Sequence, residues 1–400
     1  MRYTLLLALP LALFALAPVR GDERGSASAA VRARMQPFVD QGEISGAVTV
    51  VGRKDAIVTY ETIGLQNLET RTPMAKDTLF RIASMTKPIT AIGILILADE
   101  GKLKVEDPVE KYLPEFHGQM VVVQRSPDMI TLKKPARPIT LRDLLTHTSG
   151  LPSDFRPGLT DLYIKRNHTL AEGVMAFSQR PLDFEPGSKW AYCNAGIDTL
   201  GHIIEVVSHQ SYEDFLRTRI FQPLGMTATT FYPTDAQLGR AAVTYGKQNG
   251  KLVPTPNTII GSPVGARYPV PAGGLYSTGA DLAKLYQMML NRGTLRSTRI
   301  LSPEAVATMT KVQTGGLECG FVPGMSFGFG WAVVREPKGV TEMLSPGSYG
   351  HGGAFGTQGW LDPTQDLFVI LLIQRTGLQN SDASPMRQAL QEAAVAMLKK

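Results

Sequence analysis

The sequence predicts an α+β protein: one antiparallel sheet built from both chain ends, flanked by helices, with a mostly helical region inserted between them. Three observations predict it. Runs rich in β-branched residues occur near the N-terminus ("SGAVTVVGRKD", "IVTYETIG") and again from Phe327 onward. The stretch between, about 105–300, is punctuated by Pro and Gly and carries helical periodicities. The chain has 400 residues, 43% apolar and 19% charged, enough for a sizeable core and unlike a disordered polymer.

The N-terminus reads "MRYTLLLALPLALFALAPVRGDERG". Arg2 supplies a positive n-region, and Thr4 to Ala17 is an apolar stretch of roughly 14 residues, short of the roughly 20 that span a bilayer. Val19 and Gly21 suit positions −3 and −1. Residues 1–21 are therefore expected to be a signal peptide, cleaved before Asp22, leaving a periplasmic or secreted protein without a stable membrane anchor. No Cys follows the apolar stretch, so a lipoprotein is not expected. The formal charge is +6, and losing Arg2 and Arg20 would leave about +4. With no basic run and no zinc spacing, nucleic acid is not an expected partner, and neither metal nor cofactor is implied. Two cysteines, Cys193 and Cys319, leave a disulfide undecided.

The 22–400 domain divides into an α/β lobe, about 26–100 and 300–400, and the helical insertion. A helix is expected from Ser26 to Asp40, with Val31, Met35 and Phe38 near helical spacing. The hairpin follows, then "RIASMTKP" (Arg81 to Pro88) and the apolar "ITAIGILILADEGKL". Pro88 is tolerated only in a first turn, so this buried helix should begin close to Ser84. In the insertion, "AGIDTLGHIIEVVSHQ" puts Ile197, Leu200, Ile203, Ile204 and Val207 on one face. "FGFGWAVVRE", "AFGTQGWLDPT" and "DLFVILLIQRT" read as three strands, and "SPMRQALQEAAVAMLKK" as a closing helix.

Three motifs carry possible chemistry. Ser84 and Lys87 form Ser-x-x-Lys, which places a hydroxyl and an amine on one helix face. With 20 Ser and 17 Lys in the chain, chance supplies roughly 0.9 such pairs, so the spacing alone decides nothing. A serine needs a neighbouring base to become a nucleophile, and burial lowers a lysine's pKa enough to serve. Equally, Ser84 reads as a helix cap and Lys87 as a solvated first-turn residue. Tyr192-Cys193-Asn194 is the chain's one Tyr-x-Asn, expected by chance only about 0.2 times. Tyr192 has a proton to relay, and Asn194 an amide for the lysine or a substrate. His351-Gly352-Gly353 is rarer still, at about 0.06 by chance. Paired glycines admit a close backbone approach, and N–H groups there can bind an oxyanion.

In this order the motifs resemble those of the serine β-lactamase and penicillin-binding protein superfamily. More narrowly, they resemble its class C-like branch of β-lactamases, D-Ala-D-Ala carboxypeptidases, D-aminopeptidases and family VIII carboxylesterases. "LLTHTSGLP", "PAGGLYSTGADLAKL" and "PLGM" are similar to that branch's secondary motifs, and the resemblance spans nearly the whole mature chain. It implies a β-lactamase/transpeptidase-like fold. It also implies Ser84 as the acylated nucleophile, Lys87 as its base and Tyr192 as the proton-exchanging residue. Asn194 becomes a substrate-amide contact, and His351, Gly352 and Gly353 the third motif. Ala354, next in the chain, would join Ser84 in supplying oxyanion N–H groups.

That third motif is Lys-Thr-Gly in β-lactamases. Here His351 offers no fixed positive charge to a carboxylate, since histidine is mostly neutral near pH 7. The expectation is an exported serine hydrolase acting through a Ser84 acyl-enzyme, of carboxylesterase or D-amino-acid peptidase type. Its partner is a small ester, peptide or β-lactam. Weak β-lactamase activity, or a non-catalytic peptidoglycan-binding relative, are the alternatives. Cys193 reads as a packed small hydrophobe and His147 as structural, because no G-x-S-x-G elbow accompanies it.

Overall fold

The structure, a computed structural model, describes residues 21–153, 159–256 and 259–398. The leader assigned from sequence therefore lies outside the described residues except for Gly21. Among the described residues no helix is long and apolar enough to cross a membrane.

The first strand, Gly46–Gly52, pairs on one side with its hairpin partner Ile57–Asn67 and on the other with the last strand, Leu367–Leu372. That register, Val48 opposite Leu372 through Gly52 opposite Phe368, joins the two chain ends. Beyond Leu367–Leu372 follow Gln358–Asp362, Tyr349–Gly352, Ala332–Val334 and Met325–Phe327. Thr72–Pro73 closes the opposite edge of this eight-stranded antiparallel sheet.

Both faces of the sheet are covered, which explains why its central strands are apolar on both sides. Side chains alternate across the sheet. Ala47 and Val51 pack with Val31 and Met35 of the N-terminal helix Gly21–Asp40 and with Leu390 and Ala394 of the C-terminal helix Pro385–Leu398. Val48 and Val50 belong to the larger core on the other face, with Ile89, Ile92 and Ile96 of the helix Thr86–Asp99. That helix is buried continuously from Thr86 to Leu97. It lies against the helix Asn194–Ser208, and a Cβ on Gly93 would come within 2.8 Å of Ile204. The site is assembled where these two helices begin.

The insertion holds the helices expected, including Asn194–Ser208 and Gly279–Leu290, but also two-stranded ribbons that its Pro- and Gly-rich sequence does not announce. One, Phe80–Arg81 with Tyr276–Ser277, ties the insertion to the segment just before Ser84. A second difference concerns His351. The sequence puts His351-Gly352-Gly353 ahead of a strand, whereas His351 and Gly352 lie within the strand Tyr349–Gly352, paired with Gly359 and Gln358. Glycine's poor strand propensity hides that strand, and pairing on both sides overrides it. Both cysteines are free thiols.

Candidate active site

Ser84 sits in a single 3-10 turn, Ala83–Met85, which runs directly into the helix Thr86–Asp99. Ala83 has φ = 44°, a left-handed conformation that costs a non-glycine residue about 1 kcal/mol or more. Its surroundings hold it there. Thr86 Oγ1 donates to the Ala83 carbonyl at 2.7 Å, Ile82 N donates to Leu275 O at 3.0 Å, and Thr357 Oγ1 donates to Ile82 O at 3.2 Å. Pro88 falls in the first helical turn, as its missing N–H requires.

Lys87 is completely buried. Its Nζ donates to Ala272 O at 2.7 Å and to Ser84 Oγ at 3.3 Å, and lies 4.6 Å from the centroid of the Tyr192 ring. Burial lowers its pKa to about 7, against the opposing pull of Asp198 and Cys193. Near neutral pH roughly half of Lys87 is then the free amine, able to accept a proton. The Tyr192 hydroxyl hydrogen-bonds to the Ser84 side chain. Burial, with a smaller contribution from the Asp382 charge, pushes its pKa far above the ordinary tyrosine value. Tyr192 is thus a neutral phenol. Of the two groups touching Ser84, Lys87 is the one equipped to be the base.

Asn194 opens the helix Asn194–Ser208, and its Oδ1 is buried without a hydrogen-bond partner. With Ser84, Tyr163, Ile260, Ala272 and Ala354 it lines a cleft of about 340 Å³. The lysine's bonds go to Ser84 and Ala272, which leaves the Asn194 amide for whatever occupies the cleft.

The third motif docks against the turn that carries Ser84. A Cβ on Gly353 would fall 2.2 Å from Thr357 Oγ1 and 2.6 Å from Ile82 O, so only glycine lets the two segments meet. At this hairpin the bonds run from Gly353 N to Thr357 O and from Gly356 N to Gly353 O, and neither uses the Ala354 N–H. Ala354 is exposed and lines the cleft with Ser84. His351 is buried, with Nδ1 2.7 Å from Gly352 O, so that nitrogen carries the proton and Nε2 is a bare acceptor without a partner. Burial first, and Lys87 second, lower its pKa to about 3. Behind it, a Cβ on Gly352 would come 2.3 Å from Asp382 Oδ1. The motif that carries Lys-Thr in β-lactamases thus presents a neutral imidazole backed by a carboxylate.

Five residues near this centre were not legible as site residues. His147, expected to be structural, bonds to main chain: its Nδ1 accepts from Cys193 N at 3.2 Å and its carbonyl accepts from Ala191 N at 2.9 Å, which fixes the Tyr192 segment. Its ring centroid is 4.6 Å from that of Tyr192. Cys193 is a buried neutral thiol, its pKa pushed up to about 11 by burial. No motif in the sequence assigns Ala272, Asp382 or Asp198 to the site. Asp198 carries one signal in retrospect: it stands four residues after Asn194, a lone charge at the buried start of an apolar helix.

The chain belongs to the Beta-lactamase family, whose profile matches residues 31–394. It is 32% identical over 369 residues to Protein Rv1367c of Mycobacterium tuberculosis, covering 88% of this chain and 91% of that protein. It is 29% identical over 402 residues to Esterase EstB of Burkholderia gladioli, covering 92% and 96%. Among solved structures it resembles EstCE1, a hydrolase with promiscuous acyltransferase activity. The TM-score there is 0.78 at 25% identity, over 93% of this chain and all of that one. The fold is the one expected, and the family and its neighbours are serine hydrolases.

Proposed function

We propose that this protein is an exported serine hydrolase that cleaves carboxylic esters through an acyl-enzyme on Ser84. Free-amine Lys87 takes the Ser84 proton directly or through Tyr192 Oη, and Ser84 Oγ attacks the ester carbonyl. The N–H groups of Ser84 and Ala354 receive the oxyanion. Tyr192 Oη protonates the departing alkoxide and is reprotonated by Lys87. Water then releases the acyl group by the same path in reverse. Export rests on the leader pattern of residues 1–21 alone.

The observation that carries the ester reading is the charge of the third motif. A β-lactam or a peptide C-terminus brings a carboxylate, which calls for a cation. His351 stays neutral, and the side chain packed behind Gly352, Asp382, supplies no cation in its place. A neutral ester makes no such demand. The likeness to Esterase EstB supports the same reading. A D-amino-acid peptidase is the second reading, favoured by the unpartnered Asn194 Oδ1 of a residue that lines the cleft.

The test compares p-nitrophenyl butyrate, nitrocefin and a D-Ala-D-Ala peptide on the wild type and on Ser84→Ala. Ester hydrolysis well above the other two, lost in the variant, is expected. Turnover that survives Ser84→Ala, or a preference for nitrocefin, overturns the proposal.

A further inference from the structure

We infer that Asp198 is a positioning residue for Lys87, acting through the Ala272 peptide; this rests on the serine hydrolase reading above. The chain of contacts is short. Asp198 Oδ1 accepts the Ala272 N–H at 2.8 Å, and the carbonyl of that same residue accepts Lys87 Nζ at 2.7 Å. Two tyrosine hydroxyls, from Tyr163 and from Tyr268 (the latter at 2.8 Å), donate to Asp198 Oδ2. The carboxylate is fully buried and held by three donors, one from the helix Thr160–Ile164 and two from the loop that carries Tyr268 and Ala272, so it has little freedom to move. The neighbouring backbone does not stay in place unaided. Val270 has φ = 58°, a strained conformation for a β-branched residue, two positions before Ala272. Thr90 Oγ1 pins the adjoining Pro271 carbonyl at 2.9 Å. Asp198 and Thr90 together keep a strained loop where its Ala272 carbonyl meets the lysine.

The carboxylate has a second effect on the same amine. Lys87 is faced by Ser84 from its own turn, Tyr192 and Cys193 from the segment before the helix Asn194–Ser208, and Asp198 from within that helix. His147 and His351 approach from two other segments and, like the tyrosine and the thiol, are neutral. Burial raises the Asp198 pKa to about 6, so at neutral pH and above it is the negative charge that offsets the lysine's burial, and it raises the Lys87 pKa. Without it the amine would lose its proton at lower pH.

The experiment is the pH profile of kcat/KM on p-nitrophenyl butyrate for the wild type, Asp198→Asn, Asp198→Ala and Tyr268→Phe. Fluorophosphonate labelling rates over the same pH range provide a readout independent of turnover. Asp198→Asn keeps an oxygen for the Ala272 N–H but removes the charge. Its acidic limb should move to lower pH by about half a unit or more, with the plateau within a few-fold. Asp198→Ala loses the anchor, and its plateau should drop about 10-fold or more. Tyr268→Phe removes a bond that favours the ionised carboxylate. It should shift the limb the same way, by less, which covers the case in which the Asp198 variants fail to fold. Limbs unmoved in Asp198→Asn and Tyr268→Phe overturn the inference while leaving the hydrolase reading intact. A wild type that neither turns over ester nor takes label at Ser84 overturns both.

Discussion

Lys87 Nζ stands 4.6 Å from the centroid of the Tyr192 ring while remaining within 3.3 Å of Ser84 Oγ. The amine thus lies over the π-cloud and makes no direct ion pair, Asp198 acting on it from beyond the Ala272 peptide. This arrangement stabilises its protonated form only modestly, so burial dominates and the pKa falls to about 7. The proposed mechanism depends on that balance.

The first consequence is a pH profile. A base works when unprotonated, so kcat/KM on a neutral ester should rise with pH along a limb centred near 7, the pKa of Lys87. His351, already neutral above about pH 3, should add no inflection there. Replacing Lys87 by Ala should lower kcat about 10²- to 10⁴-fold. Steady-state rates from pH 5 to 9 check both.

Lys87 also burdens the fold. Its folded pKa lies below its unfolded value, so between about 7 and 10.5 the unfolded chain binds the extra proton, and stability rises with pH across that window. Below it the penalty is fully present. Lys87→Met should therefore stabilise the protein at pH 7 by on the order of 1 kcal/mol or more while abolishing turnover. Thermal denaturation of both forms at pH 7 reads the effect, and a lower Tm for Lys87→Met would contradict it.

Tyr192→Phe separates acid from base. The loss should be about 10²- to 10⁴-fold on ethyl butyrate, whose alkoxide needs a proton. It should be clearly smaller on p-nitrophenyl butyrate, whose leaving group departs as the anion. Equal losses on the two substrates would remove Tyr192 from the leaving-group step.

Asp382 sets a charge preference. It bears on Tyr192 and sits where a Gly352 side chain would go. Asp382→Asn should raise kcat/KM for a p-nitrophenyl hemisuccinate relative to p-nitrophenyl butyrate by roughly 3- to 10-fold. An unchanged ratio would show that its field does not reach the substrate.

Gly353→Ala tests the docking of the third motif. The added methyl meets the Ile82 carbonyl, main chain that cannot swing away. A stability loss of about 1–3 kcal/mol, measured by denaturant unfolding, is expected together with impaired turnover.

Much of this site was legible because its chemistry is written in short motifs. Ser84 and Lys87 share one helical turn, and Tyr192 and Asn194 are two residues apart. What escaped was what long-range packing supplies. Ala272 reaches Lys87 across 185 residues of chain, through a main-chain carbonyl that no side chain advertises. Asp382 meets Gly352 from the short turn Ser381–Ala383 just ahead of the C-terminal helix, 30 residues further along the chain. The sheet itself was readable from apolar runs at both ends, except where glycine formed the strand at His351 or where two-residue ribbons were too short to show a period.

The central claim is that Ser84 carries the acyl group. Rapid acid quench of wild type with p-nitrophenyl butyrate, followed by peptide mapping, tests it most directly. A butyryl adduct on the peptide containing Ser84, absent from Ser84→Ala, is the predicted result. An adduct on another residue, or turnover that persists in Ser84→Ala, would contradict the account.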